Sequence, residues 1–393
     1  MLLMAGACCR RRLGSAARQA LTSAVPRNRR DFSSESKQSA SEDGNPAVIF
    51  SGIQPTGIPH LGNYLGAMRQ WKRLQDKAGD KDKLIFCIVD LHAITMPQDA
   101  AGLRNRRREL LAALMAIGLN PKKSTLFYQS SVYQHSELMW ILSCTASMGY
   151  LTRMTQYKTK LLADNQGGDL DKAIASRLKL GLFSYPVLQA ADILVHRATH
   201  VPVGDDQRQH LEFARECVTN FNHACGRKVL VSPATITAPS SRIMSLQHPY
   251  RKMSKSSSNA RSRILITAEP QEIQKRFASA VTDQINKVTY EPLDRPGVAN
   301  LLEIAAQFGP EGTTPEQVAA DLDGLPLSEL KDLCTRSVTA ELSGVHERYL
   351  DLLSRRGGKY LDDIEAEGAE VARNNAEETM RLVRSTIGLG PLI

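Results

Sequence analysis

The 393-residue chain is 42% hydrophobic and 23% charged, which supports a sizeable core, and its length favours two domains over one. No run of eighteen or more apolar residues suggests a membrane span, and the seven cysteines show neither a C-x-x-C pair nor a zinc-like spacing with histidine. The net charge of +9 is concentrated in residues 1–40, which hold eight basic side chains against Asp31 and Glu35, so global basicity carries no nucleic-acid signal.

That leader has no acid before Asp31 and is rich in Arg, Ala and Ser. Its composition predicts a mitochondrial or plastid transit peptide over residues 1–32, with a cut near Phe32 or closer to Arg18; a basic tail is the plainer alternative. Residues 33–46 are polar and read as a linker. From Ala47 onward the apolar runs Ala47–Gly52, Leu84–Val89 and Thr125–Gln129 read as buried strands. Helical patterns over 62–77, 101–118 and 135–149 separate them, an alternation that predicts a parallel sheet with helices on both faces. Further helices are expected over 186–197 and 206–223, and Arg263–Thr267 reads as a late strand. Beyond residue 270 the pattern turns helical, over 271–280, 298–307, 316–322, 327–353 and 363–386, punctuated by Pro270 and Gly357-Gly358.

Two segments carry phosphate chemistry. Gly57–Tyr64 follows the first strand and opens a helix. Gly52 and Gly57 permit tight turns, and Gly62 permits close approach of a ligand. The helix start offers unpaired N–H groups to an anion, and His60 and Asn63 add side-chain donors. A structural corner with a buried histidine fits the same residues. Far downstream, Lys252-Met253-Ser254-Lys255-Ser256 places two lysines three apart among small hydroxyl residues. Such a loop suits charge developing on a leaving group, although a solvated basic loop or a phosphorylation site has the same composition. Their pairing across an alternating α/β pattern favours the phosphate reading.

On these two motifs the chain resembles the class I aminoacyl-tRNA synthetases: His60-Leu61-Gly62-Asn63 stands for HIGH, and KMSKS is complete at 252–256. Asn63 replaces the second His of HIGH, a substitution typical of the tryptophan branch. The segments Phe50–Gly57, Cys87–Thr95, Leu151–Lys158, Ala190–Leu194, Val201–Gln207, Arg242–Leu246, Ser279–Asp283 and Pro296–Leu302 resemble bacterial-type tryptophanyl-tRNA synthetases. The resemblance runs from about residue 47 to the C-terminus. It implies an α/β, Rossmann-like, doubly wound parallel-sheet catalytic domain over 47–270. A helical domain that binds tRNA and its anticodon would follow over 271–393.

It also implies roles by position. Gln54, Pro55, Thr56, His60, Leu61, Gly62 and Asn63 would line the ATP site. Gly204, Asp205, Asp206 and Gln207 would hold the ribose and nearby amino-acid atoms, with Ile243 near the adenine. Lys252, Met253, Ser254, Lys255 and Ser256 would lie on the phosphates, and Lys252, Lys255, His60 and Asn63 would carry catalysis. Asp192 would accept the indole N–H, with Tyr185, Gln189, Gln207, His92 and Gln129 around the tryptophan. The Asp192 role has a physical basis, because an indole nitrogen is a donor only and a carboxylate is the strongest acceptor available. A helix-surface acid is the alternative, but Ala190, Ala191, Ile193 and Leu194 around it argue for burial. Gln189 departs from the tryptophan pattern, which has Met there. With Tyr185 and Asp192 it matches the pattern by which tyrosyl-tRNA synthetases hold tyrosine, while the remaining blocks favour tryptophan.

The implied reaction is attack of the tryptophan carboxylate on ATP, giving tryptophanyl-AMP and pyrophosphate, then transfer to the terminal ribose of tRNA(Trp). Mg²⁺ would be held mainly by the phosphates, since no carboxylate cage is visible. The family implies a homodimer, and the leader adds the mitochondrial matrix. Arg104-Arg106-Arg107-Arg108 and Arg153-Lys158-Lys160 are candidate RNA contacts, or solvated helix faces. The rivals are a tyrosyl-tRNA synthetase, a nucleotidyltransferase sharing only the H-x-G-H corner, and a non-catalytic RNA-binding relative.

Overall fold

β-branched and aromatic residues dominate the first apolar run, and Val48–Ile53 forms β1 at the centre of the sheet. The computed structural model describes residues 46–154, 178–204, 207–237, 242–255 and 257–391. The leader, the linker up to Asn45, the Thr155–Lys160 portion of the second basic cluster, Asp205, Asp206 and Ser256 lie outside the described residues.

After β1 come α1 (Leu61–Asn63), a π-helical turn at Tyr64–Met68, and α2 (Arg69–Lys77). Then follow β2 (Lys83–Ile88), α3 (Asp90–Ala93), α4 (Ala100–Ala116) and β3 (Ser124–Tyr128). Helices α5 (Gln134–Ser143), α6 (Met148–Arg153) and α7 (Leu180–Leu194) lead to β4 (His200–Val203), α8 (Arg208–Ala224) and β5 (Ala234–Thr237). The rest is helical: α9 (Pro270–Ala278), α10 (Pro296–Ala306), α11 (Pro315–Asp321), α12 (Leu327–Glu341), α13 (Val345–Ser354) and α14 (Lys359–Thr386).

All strand pairs are parallel, in the order β3-β2-β1-β4-β5. Strand β2 is buried from Leu84 to Ile88, as a strand covered on both faces should be. The chain winds outward from β1 in one direction and returns to its other side with β4. The strand order therefore switches between β1 and β4, and a crevice beyond the C-terminal ends of these strands is where such sheets bind ligands.

Four expectations change. Residues 135–149 are two helices, because the chain turns at Cys144–Ser147 before Ser147 caps α6. Residues 327–353 break at Gly344, whose φ of +69° ends one helix and starts the next. Arg263–Thr267 is not a strand. It crosses the first turn instead, with Leu61 N donating to Ile264 O and Ile266 N to Pro59 O, and a single bridge between His60 and Leu265. Proline 59 has no N–H with which to continue a ladder. In exchange, β4 and β5 join the sheet, each only four residues long.

The last helix returns to the sheet. A Cβ on Gly368 would lie 1.9 Å from Leu126 O, so only glycine lets α14 approach the backbone of the edge strand β3 this closely. Ala369, Ala372, Ala376, Met380 and Val383 of α14 share one core with Phe50, Ile85 and Phe127 of the sheet.

Candidate active site

His60 and Asn63 cap each other. His60 N donates to Asn63 Oδ1 at 3.2 Å, and Asn63 N donates to His60 Nδ1 at 3.3 Å, a reciprocal capping box at the start of α1. The arrangement fixes which atoms remain for a ligand. His60 accepts at Nδ1, so its ring proton sits on Nε2; Asn63 accepts at Oδ1, so its NH₂ stays available. Burial, then the positive charges of Lys255, Arg263 and Lys252, pushes the His60 pKa down to about 4. At neutral pH this ring is an uncharged donor. Asn63 therefore does more than stand in for a histidine: its carbonyl closes the cap.

The second lysine of the downstream motif reaches this corner. Lys255 Nζ donates to Gly57 O at 2.7 Å, and burial pushes its pKa down to about 8. Gly57 has φ +107°, a conformation that L side chains rarely adopt, and this places its carbonyl in the turn. The segment leading to the lysines is held from behind. Met253 N donates to Ile243 O, Met244 bridges Lys252, and the buried Asn300 of α10 satisfies both Met244 N (2.9 Å) and Met244 O (3.1 Å). Lys252 is exposed. A Cβ on Gly62 would crowd the His60 ring at 3.1 Å and meet Ile243 Cβ at 3.6 Å, so this glycine serves the packing of the corner as well as access to it.

A second cluster surrounds Asp192, which is 1% exposed. Its Oδ2 accepts from His92 Nε2 at 2.8 Å. Its Oδ1 accepts from Gln129 Nε2 at 2.6 Å and from His135 Nδ1 at 2.7 Å. Burial alone would raise the carboxyl pKa, but the hydrogen bonds from His135 and His92 outweigh it and hold Asp192 ionised well below the usual carboxylate range. Tyr185, two turns earlier on α7, meets the His92 ring edge-on and places its hydroxyl 3.0 Å from His210 Nε2. Gln189 donates to Gln207 Oε1 at 3.1 Å, joining α7 to the start of α8. A buried carboxylate with a lone pair to spare can accept one more N–H donor.

Of the residues singled out in the sequence, His60, Gly62, Asn63, Ile243, Lys252, Met253 and Lys255 are thus brought together. His92, Gln129, Tyr185, Gln189, Asp192 and Gln207 form the other group. Leu61 and Met253 are buried and their N–H groups are spent on Ile264 O and Ile243 O, so neither presents its side chain or its amide to a ligand. Gln54, buried Pro55 and Thr56 make the turn leaving β1, with Thr56 N bonded to Gln54 O at 2.9 Å, and Gly204 leaves β4. Ser254 follows Met253 along the same segment. Sequence reading missed Arg263, Asn300 and His135. Only His135 carried a signal, as a polar residue on the apolar face of α5.

Three arginines of the first basic cluster bond within the molecule. Arg106 donates to Gln98, Arg107 pairs with Asp90 over the Tyr128 ring, and Arg108 binds Asp362 and Gly358 O. Of the four arginines only Arg104 is exposed.

Known proteins place this architecture. The model of the class I tRNA synthetases (W and Y) matches residues 42–332. The mitochondrial tryptophan–tRNA ligase of Schizosaccharomyces pombe is 44% identical over 347 residues, covering 87% of this chain and 95% of the relative. The crystal structure of tryptophanyl-tRNA synthetase from Mycoplasma pneumoniae superposes with a TM-score of 0.73 at 30% identity, over 88% of this chain and 99% of that one. The Campylobacter jejuni tryptophanyl-tRNA synthetase, complexed with ADP and tryptophan, gives a TM-score of 0.69 at 31% identity, over 87% and 100%. With the capped HIGH-like corner, the KMSKS lysine docked on it and the parallel sheet that carries both, the chain belongs to the tryptophan and tyrosine family of class I tRNA synthetases.

Proposed function

We propose that the protein is a tryptophan–tRNA ligase: it activates L-tryptophan with ATP to tryptophanyl-AMP and pyrophosphate, then esterifies the 3′-terminal adenosine of tRNA(Trp). The observation that carries this reading is the buried, ionised Asp192, an acceptor suited to an indole N–H, at the same end of the sheet as a donor-lined phosphate corner. The identity to tryptophan–tRNA ligases over nearly the whole chain supports the same substrate.

Both reacting charges exist before the first step, so no general base is required, and positioning with electrostatics supplies the rate. His60 Nε2–H and the Asn63 amide donate to the phosphates. Lys252 and Lys255 follow the charge that gathers on departing pyrophosphate. Mg²⁺ carried in on ATP would add positive charge on the same phosphate oxygens. On binding ATP, Lys255 would exchange Gly57 O for phosphate.

The helical region 271–393 is assigned to tRNA and anticodon binding. A homodimer is supported by an apolar surface on neighbouring elements, where Tyr133, Trp140, Met148 and Leu180 are all more than half exposed. The mitochondrial name of the yeast relatives supports a mitochondrial location, and the acid-free leader supports import to the matrix.

Tyrosine is the second reading, because Tyr185, Gln189 and Asp192 share one helix face. Amino-acid-dependent pyrophosphate exchange decides. Exchange with tryptophan and not tyrosine is expected; tyrosine alone would overturn the substrate, and neither would point to a non-catalytic relative.

A further inference from the structure

The Asp192 carboxylate is the inner end of a hydrogen-bonded row that runs to the C-terminal helix. His135 uses Nδ1 on Asp192 Oδ1 and brings its Nε2 to 3.2 Å from His196 Nε2. His196 Nδ1 lies 2.8 Å from Asn375 Oδ1 on α14. The two imidazoles are 0% and 1% exposed. Phe50 stacks on His196 with centroids 5.7 Å apart, and Phe127 meets it edge-on. With water excluded, each ring nitrogen is satisfied by its neighbour in the row.

The protons in such a row are not independent. A carboxylate only accepts, so His135 Nδ1 carries a hydrogen. Burial, then the nearby His135, pushes the His196 pKa down to about 3, so this ring holds a single proton. One hydrogen serves the nitrogen–nitrogen contact and the Asn375 amide pairs with the other nitrogen of His196, so each group in the row is held by the next.

We propose that Asn375 is a positioning residue for the amino-acid pocket: by hydrogen-bonding His196 it fixes the His135 ring that donates to Asp192, and so holds that carboxylate in place as an acceptor for the indole N–H. The proposal rests on the assignment of Asp192 to the substrate. It gives α14 a part in choosing the amino acid, three hydrogen bonds away from the carboxylate's free lone pair.

The test is pyrophosphate exchange by the full chain with tryptophan and with its benzothiophene analogue, which has sulfur in place of the indole N–H. The ratio of the two kcat/KM values reports the N–H contact. Asn375→Leu is expected to lower this preference about tenfold, as for loss of one hydrogen bond to a charged group, with KM for ATP unchanged. Asn375→Asp keeps an acceptor in place and should retain the preference to within about threefold. A role in packing alone would weaken both substrates alike and leave the ratio where it was. An unchanged ratio in Asn375→Leu, or Asn375→Asp as impaired as Asn375→Leu, overturns the proposal. His196→Gln breaks the row one step nearer the pocket and should give the same loss, which serves if Asn375→Leu does not fold. Asp192→Asn separates the two levels. A ratio that survives it removes the reading of Asp192 and the proposal together; a ratio lost there but kept in Asn375→Leu and His196→Gln refutes the proposal alone.

Discussion

The phosphate corner and the amino-acid pocket sit at the same end of the sheet and are built on opposite terms. The corner takes most of its parts from two short segments, 57–63 and 243–255, and its lysines keep contact with solvent. The pocket gathers His92, Gln129, His135 and Asp192 from four separate elements and buries all of them. The difference fits the work proposed for each. A cation that tracks a departing pyrophosphate has to move, and groups with few buried contacts move readily. A carboxylate that selects one ring over another has to be held still, and in a dry interior only satisfied partners hold it.

Separate removal of each half should show how independent they are. The largest effect is expected for Lys255→Ala, which slows adenylate formation about 10²–10³-fold, the range for loss of one preorganised charge-stabilising group. Tryptophan affinity should stay within about twofold, since the variant leaves the buried pocket intact. Single-turnover adenylate formation and equilibrium tryptophan binding measure the two; matched losses in both would break the division of labour. Next comes Asp192→Asn, where one hydrogen bond to a charged group is lost, about 1.5–3 kcal/mol or roughly 10–100-fold in kcat/KM for tryptophan. KM for ATP should not follow. The variant also leaves three donors around a neutral amide, so the melting temperature should fall by several degrees. Gly57→Ala acts on the other half and more weakly. Nothing lies within 4 Å of the added Cβ, but the φ of +107° strains any L residue. That strain, about 1–2 kcal/mol, shifts the carbonyl on which Lys255 docks and should cost about tenfold in kcat/KM for ATP. An equal loss for tryptophan would show that the two halves are coupled through the turn.

The same contrast explains what could be read from sequence. The corner was legible because its chemistry is local: a cap, a glycine and two lysines each announce themselves within five residues. The strands that frame it were legible where they run long and apolar, as at Leu84–Ile88. Strands β4 and β5 were not, since His200-Val201-Pro202-Val203 is short and contains a proline that sequence rules bar from a sheet interior. The β1–β4 ladder holds one pair, Ile49↔His200, so Pro202 lies beyond the point where β1 requires a donor. From local pattern the pocket was legible only at Asp192, whose apolar neighbours betray its burial; His92 and Gln129 came from the family resemblance. His135, His196 and Asn375 meet across the fold; the apolar face of α5 marks His135 as buried, but no local pattern points to a partner 61 residues away. The return of α14 to β3 was hidden for the same reason, because Gly368 inside a helical pattern reads as a weak point until Leu126 is found against it.

The smallest effect, and the one that draws the finest line between the halves, is pH. Burial lowers the Lys255 pKa to about 8, whereas the same lysine in the unfolded chain titrates near its ordinary value of 10.5. Below pH 8 the ammonium is charged in both states, and its burial counts in full against the fold. Between about 8 and 10.5 the unfolded chain binds the proton that the native protein has released, so stability from this group rises with pH. Activity moves the other way, because only the charged amine serves the leaving group. The free protein's kcat/KM for ATP should therefore decline several-fold between pH 7.5 and 9, while the melting temperature gains no loss from Lys255. His60 cannot be the cause, since its pKa of about 4 leaves it neutral throughout that window. Lys255→Arg, which does not titrate there, should flatten the decline. If wild type and Lys255→Arg fall off together, the alkaline limb belongs to another group and Lys255 is not the cation that follows the pyrophosphate.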